Sequence, residues 1–177
     1  MTPTPHRGLA RRPGWRAAAI TAAAAVLAAG LAAAPAHARD ISHLDADAPP
    51  EAALGPRDPR ARAAFSPAGC VGRTHNPHRA SHARGTISVV ANTRCRRTVP
   101  TLGVATVLYR SRWYGWEKRG SSGMKERRSR QSVRASAGSP TCVGDTRDWL
   151  GSSYHESVED GTSYVGRTSR RRNDITC

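Results

Sequence analysis

Three histidines and a cysteine lie close together in the stretch "CVGRTHNPHRASHARG". Zinc and copper both accept imidazole ligands of the kind that His75, His78 and His82 carry. Pro77 argues against a helix that would place two of these rings on one face, and the stretch contains no carboxylate. Cys70 is also needed for a disulfide. These residues favour a polar edge segment with local hydrogen bonds, and we predict neither a metal site nor a cofactor.

A second group with possible chemistry is the pair His155 and Glu156 in "DWLGSSYHES". A histidine, a carboxylate and nearby arginines are the groups that phosphodiester cleavage requires. However, adjacent residues on a strand point to opposite faces. The sequence also lacks G-x-S-x-G, H-E-x-x-H, C-x-x-C and a glycine-rich phosphate loop. A small ribonuclease-like hydrolase is therefore kept as an alternative function, and the leading hypothesis assigns no catalytic residue.

Positive charge is the strongest functional signal. The chain has 28 Lys and Arg against 13 Asp and Glu, a net charge of +15. Between residues 70 and 177 the count is 20 against 8, a net charge of +12, and aromatic residues lie among the basic ones. Such a surface attracts polyanions, and exposed rings beside arginines can stack on bases or sugars.

This pattern predicts a non-enzymatic binder of polyanions such as extracellular nucleic acid, teichoic acid or acidic polysaccharide. A secreted antimicrobial or inhibitor protein fits the same charge and remains a further alternative. Strand alternation places Trp113 on the face opposite Tyr114 and Trp116, so one side should be buried and the other partly exposed. The candidate binding residues are Arg110, Arg112, Trp113, Trp116, Lys118, Arg119, Arg127, Arg128, Arg170, Arg171 and Arg172.

The N-terminal third of the sequence has the composition of an export signal followed by a linker. An arginine-rich start, an alanine-rich apolar run and the small-residue motif "AHA" predict a signal peptide over residues 1–38. Residues 39–69 contain five prolines and a single aromatic residue, which predicts a disordered leader. We therefore expect a secreted protein with no stable membrane span after cleavage. The sequence does not indicate the oligomeric state.

All four cysteines lie in the remaining segment, residues 70–177, which is the predicted domain. An even number of cysteines in an exported chain predicts two disulfides. Of the three possible pairings we favour Cys70–Cys95 with Cys142–Cys177, because each would join the start of a segment to the end of its likely hairpin partner.

Apolar alternation indicates a mostly β domain. Ile87, Val89, Ala91 and Cys95 share one parity in "GTISVVANTRC", and "TLGVATVLYRSRW" alternates in the same way. Weaker strands follow at "QSVRASA", "DWLGSSYHES" and "TSYVGRTS", and "EDG" at residues 159–161 predicts a turn between the last two. The segment "GMKERRSRQSV" is interpreted as a solvated hairpin loop because of its charge. The sequence predicts a small antiparallel β-sandwich, immunoglobulin-like in architecture.

The order of "C…H-x-P-H", "GTISVVANTRC", "VLYRSRWYGWE", "TCVGD" and "SYHE" resembles an uncharacterised family of small secreted proteins from Streptomyces and other actinobacteria. The resemblance spans nearly all of residues 70–177, and "LYRSRWYGW" is its most specific part. It implies export and a β-rich domain with two disulfides. It implies no activity.

Overall fold

Strands make up the regular structure in the part of the chain that the computed structural model describes, which is residues 45–59, 65–81, 83–140, 144 and 146–176. Among these residues no helix is long and apolar enough to cross a membrane. The strands of the described residues are β1 (Glu51–Ala53), β2 (Gly55–Pro56), β3 (Val71–Thr74), β4 (His78–Arg79), β5 (Ile87–Arg112), β6 (Gly115–Ser121), β7 (Lys125–Ser139), β8 (Thr146–Glu159) and β9 (Thr162–Thr176).

β5 is the organising strand because it pairs with most of the others. Its first half pairs with β3 and β4 along one edge, and its second half pairs with β8. β7 and then β6 follow the other edge. The register with β7 shifts between Arg94 and Val99, and Pro100, which has no N–H to donate, comes directly afterwards. At this bulge, which we call the bend, the edge of β5 opposite β7 changes its pairing partner from β3 and β4 to β8.

The sheet is antiparallel and nearly closes like a barrel. Its strand order is β1, β3, β5, β8, β9 and β2, so it starts and finishes on two strands that are neighbours in sequence. β1 pairs with β3 and β2 pairs with β9, and only Leu54 separates them. The mostly β antiparallel fold is thus confirmed, whereas the division into two sheets of an immunoglobulin-like sandwich stays a prediction.

The predicted parity of the first long strand is confirmed. Ile87, Val89, Ala91 and Cys95 are all buried, and Thr93 between them is buried on the same face. In the second half of β5 both faces are buried, because Leu102, Val104, Thr106 and Leu108 face inward while Val107 and Tyr109 form a separate cluster with Leu150. The two predicted strands "GTISVVANTRC" and "TLGVATVLYRSRW" are in fact one continuous strand with the bend between them.

The predicted bridge between Cys70 and Cys95 is present and joins the start of β3 to the bend. It closes a loop with a sequence separation of 25. The second predicted bridge, Cys142–Cys177, and the predicted signal peptide over residues 1–38 lie outside the described residues.

Part of the segment predicted to be a disordered leader belongs to the sheet. Residues 51–56 form β1 and β2, and the side chain of Leu54 is fully buried in the main core cluster. Backbone hydrogen bonds join Leu54 to Cys70 and to Ser66. Composition alone missed these strands because they are very short and a single apolar side chain anchors them.

The buried carboxylate of Glu159 holds the end of this leader against the end of β8. It accepts hydrogen bonds from Ser66 Oγ at 2.5 Å, from the Ala68 backbone N–H at 2.8 Å and from Ser157 Oγ at 2.9 Å. Asp160 and Gly161 follow with positive φ angles of 49° and 77°, which confirms the turn predicted from "EDG".

Replacing Glu159 with alanine should lower the free energy of unfolding by about 3 kcal/mol, because three buried donors would lose their acceptor. Urea denaturation measures this loss. Glu51→Ala is the matched control. The Glu51 carboxylate lies 3.7 Å from Arg73 Nε, both side chains are exposed, and exposed ion pairs contribute little to stability. Equal effects of the two substitutions would contradict a structural role for Glu159.

The segment interpreted as a solvated hairpin loop is also a strand. β7 runs from Lys125 to Ser139, and its first eight residues are exposed. Pairing with β5 supplies the order that the charged sequence does not suggest, since the strand needs only backbone hydrogen bonds at these positions. Exposed charges on such a strand also discourage edge-to-edge association.

Candidate functional site

The histidine-rich segment makes local hydrogen bonds. His75 Nε2 lies 3.2 Å from Asn92 Oδ1, and His78 Nδ1 lies 3.1 Å from the carbonyl oxygen of Asn76. His82 lies outside the described residues. Within the described ranges no group of three or more His, Cys, Asp or Glu side chains is placed to hold a metal ion.

His155 points into the interior of the sheet and Glu156 points the other way, as the alternation along β8 predicts. The side chain of His155 is fully buried, and that of Glu156 is only 3% exposed. His155 Nδ1 lies 3.0 Å from Thr93 Oγ1, and its Nε2 lies 2.7 Å from Thr168 Oγ1. The imidazole therefore joins β5 to β9 through β8.

Hydroxyl groups extend this contact into a buried chain across the interior. Thr74 Oγ1 lies 2.6 Å from Thr168 Oγ1 and 2.7 Å from Ser153 Oγ, which in turn lies 2.9 Å from Thr106 Oγ1. Because these residues come from β3, β5, β8 and β9, the hydrogen-bonded series ties together four strands. Buried polar groups linked in this way fix one arrangement of the strands.

This environment does not suit His155 or Glu156 to catalysis on a polymer. Burial lowers the pKa of His155 from its ordinary 6.5 to about 3, so the ring is neutral at physiological pH. Neither side chain is open to solvent, and the two lie on opposite faces of β8. The ribonuclease-like alternative therefore gains no support from their placement.

The β5–β6 hairpin ends in a turn formed by Trp113 and Tyr114, which we call the tip. The side chain of Trp113 is 95% exposed and that of Tyr114 is 61% exposed. Their rings meet edge to face with centroids 5.3 Å apart. Trp116, by contrast, is partly buried against Val107 and Tyr109. The sequence anticipated that Trp113 would differ from Trp116, but Tyr114 is exposed because it belongs to the turn.

Arginines at the base of the tip surround a single carboxylate. Glu117 contacts Arg112 at 2.7 Å, Arg110 at 3.1 Å and Arg119 at 3.2 Å. The hydrogen bond from Arg112, followed by that from Arg110, lowers the pKa of Glu117 from 4.5 to about 2. Three of the predicted binding residues are therefore partly neutralised and oriented by one acid.

The arginines at the end of β9 lie near this hairpin. In the sheet register Arg110 is opposite Trp149, which is opposite Arg172, and Arg171 lies over the ring of Trp116 at 5.4 Å. These arginines also have protein partners: Arg170 bonds Asn76, Arg171 bonds Asp148 and Arg172 approaches the Pro77 carbonyl. Most of the predicted residues thus meet at one end of the sheet, together with exposed Lys118.

Arg127 and Arg128 do not join that group. They are opposite Leu102 and Thr101, eight or more residues along β5 from Arg110. At about 3.4 Å per residue the separation is roughly 27 Å.

Arg127 instead belongs to a basic groove on the outer side of the bend. Two adjoining clefts of about 540 and 560 Å³ share Asn92, Arg94 and Gln131 in their walls. We call them together the bend groove, and its charged and amide side chains are Glu51, Arg73, Asn92, Arg94, Arg96, Arg127, Gln131 and Arg134.

Sheet register explains why these arginines converge. Glu51, Arg73, Asn92 and Arg134 form one row across β1, β3, β5 and β7. Strands lie about 4.8 Å apart, so the Cα atoms of Arg73 and Arg134 are about 10 Å apart. Arg94 lies in the next outward position along β5. The alternation "ANTRCRR" predicts the shared outward face of Asn92, Arg94 and Arg96, but only the cross-strand pairing adds the other arginines.

The charge of the groove is strongly positive. Its walls contain five arginines and one carboxylate, Glu51, which lies 3.7 Å from Arg73 Nε. All five guanidinium-bearing residues are exposed. The groove can therefore present several planar donors to an anion without first breaking a buried ion pair.

Comparisons with protein families, with curated proteins and with solved structures found no match to this chain.

Proposed function

We propose that this chain is a secreted, non-enzymatic protein that binds an anionic polymer along the bend groove. The polymer classes considered are nucleic acid, teichoic acid and acidic polysaccharide. The observation that carries the proposal is the convergence of five exposed arginines, from β3, β5 and β7, on two adjoining clefts. An extended polymer can contact several of these arginines at once.

The chemistry of the groove suits phosphate and carboxylate groups alike. A guanidinium group offers a planar fork of donors that matches both anions. Asn92 and Gln131, which both clefts share, add neutral amide groups that can contact hydroxyl or backbone oxygens between the charges. The groove therefore favours a repeating anion with polar spacers.

The groove is a better candidate than the arginines below the tip. Arg110, Arg112 and Arg119 share Glu117, and a polymer anion would have to compete with that carboxylate. In the groove the one acid, Glu51, lies next to Arg73 at one end of its row. Arg134 is at the other end of that row and Arg94 is in the neighbouring row.

Export is part of the proposal. The Cys70–Cys95 bridge supports an oxidising compartment, since disulfides persist mainly outside the cytosol. A second bridge between Cys142 and Cys177, and membership of the secreted actinobacterial family that the sequence resembles, are proposed on the sequence evidence alone.

The test is a salt titration of binding to heparin, single-stranded DNA and teichoic acid. If about four phosphates are engaged, affinity for DNA should fall about fiftyfold for a roughly fourfold rise in salt, because bound counterions are released. Arg94→Glu should weaken binding to all three polymers about tenfold at low salt and reduce the salt dependence.

Arg172→Glu is the matched control, because Arg172 is an exposed arginine at the other end of the sheet. We expect it to weaken binding far less than Arg94→Glu. Equal losses for the two variants would place binding outside the groove. Affinity that does not change with salt would reject the polyanion hypothesis in favour of a shaped, uncharged site.

A further inference from the structure

The tip places two large aromatic side chains next to each other in solvent. Trp113 and Tyr114 are two of the three large hydrophobic residues that are exposed in the described part of the chain, the third being Phe65. A soluble monomer leaves single apolar residues at its surface without consequence, but two adjacent large rings at the end of a projecting hairpin form a patch.

The tip is held in place before any partner arrives. The turn contains only two residues between Arg112 and Gly115, and the ion pairs of Glu117 with Arg110 and Arg112 join the two strands behind it. Arg171 from β9 packs over Trp116 and fastens the base of the hairpin to the sheet. Little side-chain or loop freedom therefore has to be lost when the tip binds.

The shape of the tip suits a soft, flat partner. The two rings are nearly perpendicular, with an interplanar angle of 88°, and form a wedge without two parallel faces for successive bases. Neither ring lines a cleft of the bend groove. Trp and Tyr are the side chains that prefer the boundary between lipid and water.

The positive charge of the β5–β6 hairpin next to the tip favours a partner with an anionic surface. Near the turn the hairpin carries four basic residues, Arg110, Arg112, Lys118 and Arg119, and one acid, Glu117, so its net charge there is +3. Basic side chains close to a membrane surface are attracted by anionic headgroups. Aromatic rings in front of cations are the arrangement that interfacial binding uses.

We propose that the tip docks onto a bilayer that carries anionic lipids, with Trp113 and Tyr114 at the level of the headgroups and the net positive charge of the hairpin directed towards the anionic surface. This inference does not depend on the bend groove. A chain that binds both would hold an anionic polymer against a membrane surface.

Tryptophan fluorescence tests the proposal directly. The full chain should carry Trp15→Phe, which leaves Trp113, Trp116 and Trp149 as the emitters. Trp149 is fully buried and Trp116 is partly buried, so Trp113 is the reporter that a membrane can reach. With vesicles of phosphatidylcholine and phosphatidylglycerol containing brominated acyl chains, the emission should shift to the blue and be quenched. Trp113→Phe should abolish the quenched component.

Two controls keep the result interpretable. Phe65→Trp, combined with Trp113→Phe, moves the reporter to the other exposed aromatic position and should give no quenching; equal quenching there would mean that the apolar run at residues 17–35 holds the chain on the vesicle, which overturns the proposal. Vesicles of phosphatidylcholine alone should bind at least about tenfold more weakly, because the electrostatic attraction is missing. Quenching of Trp113 by single-stranded DNA but not by brominated lipid would overturn the proposal in favour of base stacking.

Discussion

Replacing Gly72 with alanine should destabilise the protein by about 3 kcal/mol or more, although alanine is ordinarily the better strand residue. A methyl group at this position would overlap the carbon atoms of the His155 ring and lie 2.8 Å from its Nδ1. His155 cannot move aside, because both ring nitrogens are held by buried threonines. Thermal or urea denaturation of the variant measures the loss.

Gly138→Ala is the matched control for this substitution. A methyl group there would meet Thr86 Cγ2 at 3.5 Å and the Ile87 carbonyl oxygen at 3.6 Å, which are ordinary contacts. We expect a change of less than about 1 kcal/mol. In the double variant Gly72→Ala with His155→Ala the two effects should be far from additive, since the missing ring leaves room for the methyl group. Additive losses would show that the close approach does not exist in solution.

Acidification should destabilise the fold well above the pH at which carboxylates titrate. The folded pKa of His155 is about 3 and its ordinary value is 6.5, so the unfolded chain binds an extra proton between these values. Stability is therefore undiminished above pH 6.5 and is lost as the pH falls toward 3. The slope approaches about 1.4 kcal/mol per pH unit, and the total is of the order of 4–5 kcal/mol.

Between pH 6.5 and 4.5 the effect of His155 can be separated from that of Glu117. Glu117 also has a lowered pKa, about 2, but its contribution is present above its ordinary value of 4.5 and is lost only as the pH falls through 2. His155→Gln should lower stability at neutral pH and flatten its dependence on pH in this range. His75→Gln, which removes an exposed histidine, should leave that dependence intact. A flat profile for the unsubstituted chain would contradict a neutral, buried His155.

Local sequence patterns predicted the parts of the fold that depend on neighbouring residues. Alternation from Ile87 to Cys95 located the inward face, and "EDG" located the β8–β9 turn. The pattern failed where pairing partners decide the structure. β7 has a charged sequence that favours a loop, and residues 51–56 contain a single large apolar side chain, yet both regions are strands because β3, β5 and β9 supply their hydrogen bonds.

In the candidate site, too, local sequence predicted the character of the surface, whereas strand pairing decides which residues come together. Composition predicted that arginines would dominate the surface, but of the five groove arginines only Arg127 was among the predicted binding residues. The alternation that buries Cys95 could have pointed to Arg94 and Arg96 on the opposite face. It could not show that Arg73 and Arg134 lie in one row across β5, because this depends on the register of strands about 20 to 60 residues apart. Nor could it show that Arg171 covers Trp116 and leaves Trp113 as the exposed ring.

The closure of the sheet by β1 and β2 also determines when the protein can fold. β2 pairs with β9, so Gly55 meets Val165 across 110 residues of chain. Loop-closure entropy makes such a long-range contact slow to form, and proteins dominated by distant pairings fold slowly. β2 must therefore wait for β9 before it can pair. A chain with this topology cannot close its sheet until β9 has left the ribosome, however early the other strands pair.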